Sequence, residues 1–176
     1  MGTIKKPQEA KLFAGIIAVS EVFAVQAVKE LEDRYGPADI KSPAINFIFT
    51  DYYAAEMGGS LVRLWVGFEK LIDPGMLAAI KAQTNELEDK YSLSGKRQVN
   101  VDPGYVTPAK VVLASSKDFA HRVYLSGGIY GEVTLIFRKN NFAHLEWTYP
   151  DYKSETAVKF FTDIRKDCLD KLKGAI

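Results

Sequence analysis

Side chains able to do chemistry crowd three stretches of this 176-residue chain. In FTDYYAAEMG (49–58), Asp51 and Glu56 flank Tyr52 and Tyr53. Carboxylates so near in sequence can share a proton or a cation, which makes Asp51 and Glu56 a candidate metal pair and Mg²⁺ a candidate cofactor. A turn whose aspartate caps local N–H groups while a tyrosine packs below accounts for the same residues. In VNVDPGYVTPAK (99–110), Asp102-Pro103-Gly104 reads as a tight turn, because proline presets φ and glycine tolerates positive φ. The turn does not require Asn100, Tyr105 or Lys110. Lysine suits a phosphate or carboxylate as a point charge, although at a strand edge it more often deters unwanted pairing.

The third stretch runs from 121 to 153. With Asn140-Asn141 as a two-residue hairpin loop, Ile136 faces Leu145, Thr134 faces Trp147, Glu132 faces Tyr149 and Tyr130 faces Asp151, since directly opposed residues share a face. That face grades from apolar near the loop to acidic and aromatic at its open end, as a pocket floor would. His121 and Arg122 open the neighbouring strand. The expected ligand-binding set is therefore Asp51, Tyr53, Asn100, Tyr105, Lys110, Arg122, Tyr130, Tyr149 and Asp151, with His121, Glu132 and Asp102 as candidate acid–base residues. Lys110 and Arg122 would hold the anion of a small polar ligand, phosphorylated or nucleotide-like, and the tyrosines would stack or hydrogen-bond. Whether catalysis follows is left open.

Two other readings compete. In one, exposed Tyr124, Tyr130, Trp147, Tyr149 and Tyr152 meet single-stranded nucleic acid or a protein partner, as interleaved aromatics and bases do. In the other, the acids and tyrosines are a structural polar cluster around turns, at a homodimer contact. Basic residues number 23 and acidic ones 22, a net charge of +1, which argues against a strong nucleic-acid or membrane field.

Absences narrow the chemistry. The chain has no G-x-x-x-x-G-K-[ST] loop, H-E-x-x-H, C-x-x-C or G-x-S-x-G motif, and GGIYGE (127–132) lacks the lysine of a phosphate cradle. The single Cys168 cannot form an internal disulfide, which suits a reducing cytoplasm, and it falls on the apolar stripe of a helix. The basic start followed by LFAGIIAVS resembles a leader, but the run is short and Glu21 ends it, so a buried strand is expected instead. No stretch reaches the length of a membrane span.

The elements that must position these residues follow from periodicity. Residues 1–10 read as a loose tail and 11–176 as one α+β domain. KLFAGIIAVS is a strand apolar enough for a sheet centre, and Ser20 caps a helix with Ala24, Val28, Leu31 and Tyr35 on one side. AINFIFTDYY (44–53) and LVRLWVGFE (61–69) read as a hairpin. Asp73-Pro74 starts a helix with Leu77, Ile80, Thr84, Leu87 and Tyr91 inward, and KRQVNVD (96–102) is a fourth strand. The order βαββαβ is ferredoxin-like. AKVVLAS, HRVYLS, IYGEVTLIFR and FAHLEWTY extend the sheet antiparallel, and Ser154 caps a last helix bearing Val158, Phe161, Cys168 and Leu172 inward.

The blocks LFAGI, FTDYYAAEMG, FEKLIDP, TNELEDKY, VNVDPGYVTPAKVVLASSKDFAHRVYL, GIYGEVTL and WTYPDYKS resemble a prokaryotic domain-of-unknown-function family, DUF4416. The resemblance covers essentially the whole chain and is most specific over 99–152. It implies a prokaryotic, cytoplasmic setting. Members are sometimes labelled GTP-binding, which the resemblance would imply here as well, and it carries no catalytic residues to transfer.

Overall fold

The computed structural model describes residues 2–174. The first strand, β1 (Ala10–Ala18), is buried along its whole length, as its near-continuous apolar sequence requires. Ser20 then caps α1 (Glu21–Tyr35), its Oγ accepting from the Phe23 N–H at 3.4 Å, and Gly36 ends the helix at φ 90°, a left-handed position suited to glycine. Ala24, Ala27, Val28 and Leu31 turn inward. The chain continues through β2 (Ala38–Lys41), β3 (Ile45–Asn46), the single turn α2 (Ala54–Met57) and β4 (Val62–Ile72). Asp73 caps the Pro74–Met76 turn, its Oδ1 accepting from the Gly75 N–H at 2.8 Å, and that turn leads into α3 (Leu77–Lys90). A small hairpin, β5 (Ser92–Leu93) and β6 (Lys96–Arg97), precedes β7 (Val99–Val106), β8 (Lys110–Ser115), β9 (Val123–Ser126), β10 (Ile129–Arg138) and β11 (Asn141–His144). Ser154 Oγ accepts from the Ala157 N–H at the start of α4 (Glu155–Gly174).

The main sheet is antiparallel at every pairing, in the order β11-β10-β8-β7-β1-β4-β2. The β7-β1-β4-β2 block with α1 and α3 is the expected ferredoxin-like βαββαβ core, and β8, β10 and β11 extend it. Helices α1 and α3 cover one face through Leu31, Ile80 and Leu87 against Ile16, Val66 and Val101. Helix α4 covers the other, where Phe161 packs with Phe13, Trp65, Tyr152 and Phe142. The protein is thus a single α+β domain.

Four expected elements differ in detail. Of 44–53 only Ile45–Asn46 is strand; the core's second strand is β2, and beyond Asn46 the chain leaves the sheet so that Phe47 can bury beside Met57 and Leu61. Asp102-Pro103-Gly104 is no turn. All three residues pair with Gly15, Ala14 and Phe13 inside β7, and Gly104 is needed because a Cβ there would stand 2.4 Å from the Val112 carbonyl oxygen and 2.5 Å from Phe13. The β10–β11 loop is Lys139-Asn140, both left-handed at φ 51° and 61°, one residue earlier than expected. Ile136 therefore opposes Ala143, and β11 ends at His144, so residues 145–149 never pair as strand. HRVYLS likewise contributes strand only from Val123 onward.

Candidate functional site

On the α4 side of the sheet, the alternation of strand side chains lines up one row across five strands. Ile17 lies opposite Arg63, Gly15 opposite Trp65 and Asp102, and Leu113 opposite both Gly104 and Glu132. This row floors a cavity of about 470 Å³. Phe47, Phe49, Thr50, Tyr52 and Tyr53 from the segment before α2 close one side, Lys117, Phe119 and Arg122 from the loop before β9 a second, and Tyr149, Pro150, Asp151 and Tyr152 a third. Aromatic walls around a few directed charges are the usual make-up of a small-molecule site.

Arg63 is the most buried of the cations that line the cavity, 1% exposed. Its Nη2 lies 3.0 Å from Asp151 Oδ2, and its Nη1 stands 3.8 Å from Asp102 Oδ2. Among the described residues Nε and Nη1 have no hydrogen-bond partner, and neither does the buried hydroxyl of Tyr152. Gly15 makes this arrangement possible, because a Cβ would fall 2.7 Å from Arg63 Nη2 and 3.0 Å from the Tyr152 hydroxyl. Burial works to strip the Arg63 proton, but Asp151 and its neighbours outweigh it and hold the guanidinium charged. Burial also raises the Asp151 carboxyl above its ordinary range, against the pull of Arg63. Tyr53, Tyr149 and Tyr152 are pushed upward by burial as well, so all three phenols are neutral near pH 7.

Arg122 is committed to its own network, with four of its five N–H donors in use. It donates from Nε to Glu132 Oε2 at 2.7 Å, from Nη1 to Ser115 Oγ and the Lys117 carbonyl, and from Nη2 to the Tyr149 hydroxyl at 2.7 Å. Glu132 also receives Thr134 Oγ1 on its other oxygen and meets His121 Nε2 at 3.1 Å. The pair is wholly enclosed, and its role is to fix Tyr149 and the 117–122 loop against the floor. Lys117 donates to the Tyr52 hydroxyl at 2.6 Å at the rim.

Asp102 is tied to a second network. Asn100 Nδ2 donates to Asp102 Oδ2 at 2.9 Å, and Asn100 Oδ1 accepts from Arg97 Nη1. Arg97 clamps Glu56 with Nε and Nη2 and donates to buried Glu88, which shares Val101 with buried Lys81. Arg97 holds the Glu56 carboxyl below its ordinary range. Among the described residues Asp102 Oδ1 makes no hydrogen bond, and Lys81 Nζ lies 3.9 Å from it.

Of the residues expected from sequence, Asp102, Glu132, Arg122, Tyr53, Tyr149 and Asp151 do line one cavity. Asn100 stands directly behind Asp102, and His121 backs Glu132 from outside, its ring stacked on Trp147 at 5.1 Å. The others lie elsewhere. Lys110 is exposed at the opposite end of β8, and Tyr105 points to the α3 face beside Leu77 and Val112, because strand alternation sends it away from Asp102. Tyr130 packs on Tyr124 instead of facing Asp151. Glu56 has both oxygens on Arg97 and Asp51 is exposed outside the cavity, so the expected metal pair does not form. Among the described residues no group of three or more His, Cys, Asp and Glu side chains is placed to hold a metal ion. Tyr152, expected on an exposed stacking face, is 1% exposed.

Sequence reasoning missed Arg63. The available signal was a lone arginine inside LVRLWVGF, since a charge in a strand buried on both faces must be paired or committed to a ligand.

No helix among the described residues is long and apolar enough to cross a membrane. No curated protein and no solved structure matches the chain. Residues 8–167 match the family described as "Domain of unknown function (DUF4416)", and the chain therefore belongs to that family.

Proposed function

We propose that this protein binds a small ligand with an anionic head group, phosphate or carboxylate, and a planar or apolar body, a class that includes the phosphorylated and nucleotide-like molecules expected from sequence. The observation that carries the reading is Arg63: a buried, charged guanidinium lining the cavity with Nε and Nη1 unpaired. Donors left unmet in a buried site each cost about 1–3 kcal/mol, and an incoming oxyanion removes that penalty. Phe47, Phe49, Tyr53, Phe119 and Tyr149 supply the wall for the body of the ligand. Arg63 thereby takes the anchoring role expected of Lys110 and Arg122. The arrangement offers binding groups and no nucleophile–base pair: Ser115 Oγ serves Arg122, and His121 stands outside the cavity.

Thermal-shift screening against nucleotides including GTP, sugar phosphates and aromatic carboxylates, each with and without Mg²⁺, tests it. A ligand present at a hundred times its Kd stabilises by about 2.7 kcal/mol, a rise in Tm of roughly 5–10 °C for a chain of this size. The rise should vanish in the double variant Arg63→Gln/Asp151→Asn, which leaves no stranded buried charge. No shift with any of these classes at millimolar concentration contradicts the reading.

A further inference from the structure

The cavity has two poles, and the second points to the chemistry beside the anion. Asp102 Oδ1 carries no hydrogen bond, and the residue lines the same cavity as Arg63. Arg63 Nη1 stands 3.8 Å from Asp102 Oδ2, the oxygen that accepts from Asn100, so the unpaired donor of Arg63 and the carboxylate carrying the spare Oδ1 adjoin at the floor. Asp102 is held in place from behind by Asn100, which is anchored in turn by Arg97. The lining cations Arg63, Lys117 and Arg122 are matched by Asp102, Glu132 and Asp151, so the site presents no excess of positive charge to a simple anion.

We infer that the cavity selects a zwitterionic head group of the α-amino acid type, its carboxylate or phosphonate on Arg63 and its ammonium, one carbon away, on Asp102, with an apolar or aromatic side chain against Phe47, Phe49 and Tyr149. A head group whose charges adjoin satisfies both poles at once. A lone anion meets Arg63 but sets its charge beside Asp102, and a lone amine leaves Arg63 unmet. Asp102 is the specificity-determining residue, and Asn100 is a positioning residue for it.

This inference rests on the anion-binding reading of the same cavity, and three matched probes separate the two. L-phenylalanine, 3-phenylpropionate and phenethylamine share a body and differ only in the head. Isothermal titration of the wild-type protein should show L-phenylalanine binding at least about tenfold more tightly than either relative, the size of one charge-assisted hydrogen bond. Asp102→Asn, an isosteric change at a partly exposed side chain, should abolish that preference by weakening L-phenylalanine and, with the charge beside the bound anion removed, tightening 3-phenylpropionate. Asn100→Ala should weaken L-phenylalanine to a lesser degree. If 3-phenylpropionate binds as tightly as L-phenylalanine and Asp102→Asn alters neither, the zwitterion inference is overturned and the anion reading stands. Binding of a nucleotide or sugar phosphate with none of the three probes likewise overturns the zwitterion inference and leaves the anion reading in place. Silence from every probe and every phosphate overturns both.

Discussion

At the scale of single residues, the site is made by charges that a sheet would not keep without a use. Glu132 and Arg122 show how much of the polar cluster is architecture. Both side chains are 1% exposed, and together they tie β10, the 117–122 loop and Tyr149 into one unit. Removing one member strands the other in a dry setting, so Glu132→Ala should lower stability by about 3 kcal/mol in urea denaturation, whereas the double change Glu132→Leu/Arg122→Met should cost clearly less than the sum of its parts. Additive effects would show that the pair does not interact. The sequence displayed Glu132, Arg122 and Tyr149 as polar residues near one another but could not say that they would satisfy each other. Arg63 was legible only as an anomaly, since its partner Asp151 lies 88 positions away and its neighbour Gly15 matters through the side chain it lacks.

At the scale of elements, the wall segment from Phe47 to Leu61 is held by its ends. Phe47 and Met57 bury beside Ile17 and Leu61, Glu56 is clamped by Arg97, and Tyr52 is engaged by Lys117. Because Arg97 holds Glu56 below the ordinary glutamate value of 4.5, this clamp adds stability above that pH and loses it as pH falls through the lower, folded-state value. The Tm gap between the wild-type protein and Glu56→Gln should therefore be present at pH 6–7 and shrink steadily below about pH 4.5. A gap that is constant with pH would mean the clamp contributes nothing through charge. Helix boundaries were readable because their caps are local: Ser20, Asp73 and Ser154 each accept the N–H bond expected of them. Strand ends were less so. FIFTDYY has strand composition, yet Phe47 leaves the sheet for a hydrophobic cluster assembled by distant residues, and the β10–β11 register depended on which two of three polar residues took the left-handed conformation.

At the scale of the whole molecule, one continuous sheet joins the ferredoxin-like core to its extension, and the cavity straddles that junction with its floor on β1, β4, β7, β8 and β10. The core's strand order follows from short connections and was legible as βαββαβ; that the extension would continue the β7 edge and bring Glu132 into the same cavity as Asp102 needed the three-dimensional pairing. Phe161, wholly buried, touches the rings of Phe13, Trp65, Phe142 and Tyr152 and so couples α4 to both halves. Phe161→Ala should cost about 4 kcal/mol while denaturation stays a single transition by fluorescence and circular dichroism alike; two separated transitions would contradict one cooperative unit. The central claim, that the unpaired face of Arg63 receives an oxyanion, is tested most directly by following the Arg63 Nε–H resonance in ¹⁵N-labelled protein during titration with carboxylate and phosphate ligands. A saturable shift of that resonance, absent for matched neutral amides and alcohols, is the predicted result; an Arg63 signal unmoved by every anion, or moved equally by the neutral analogues, would contradict it.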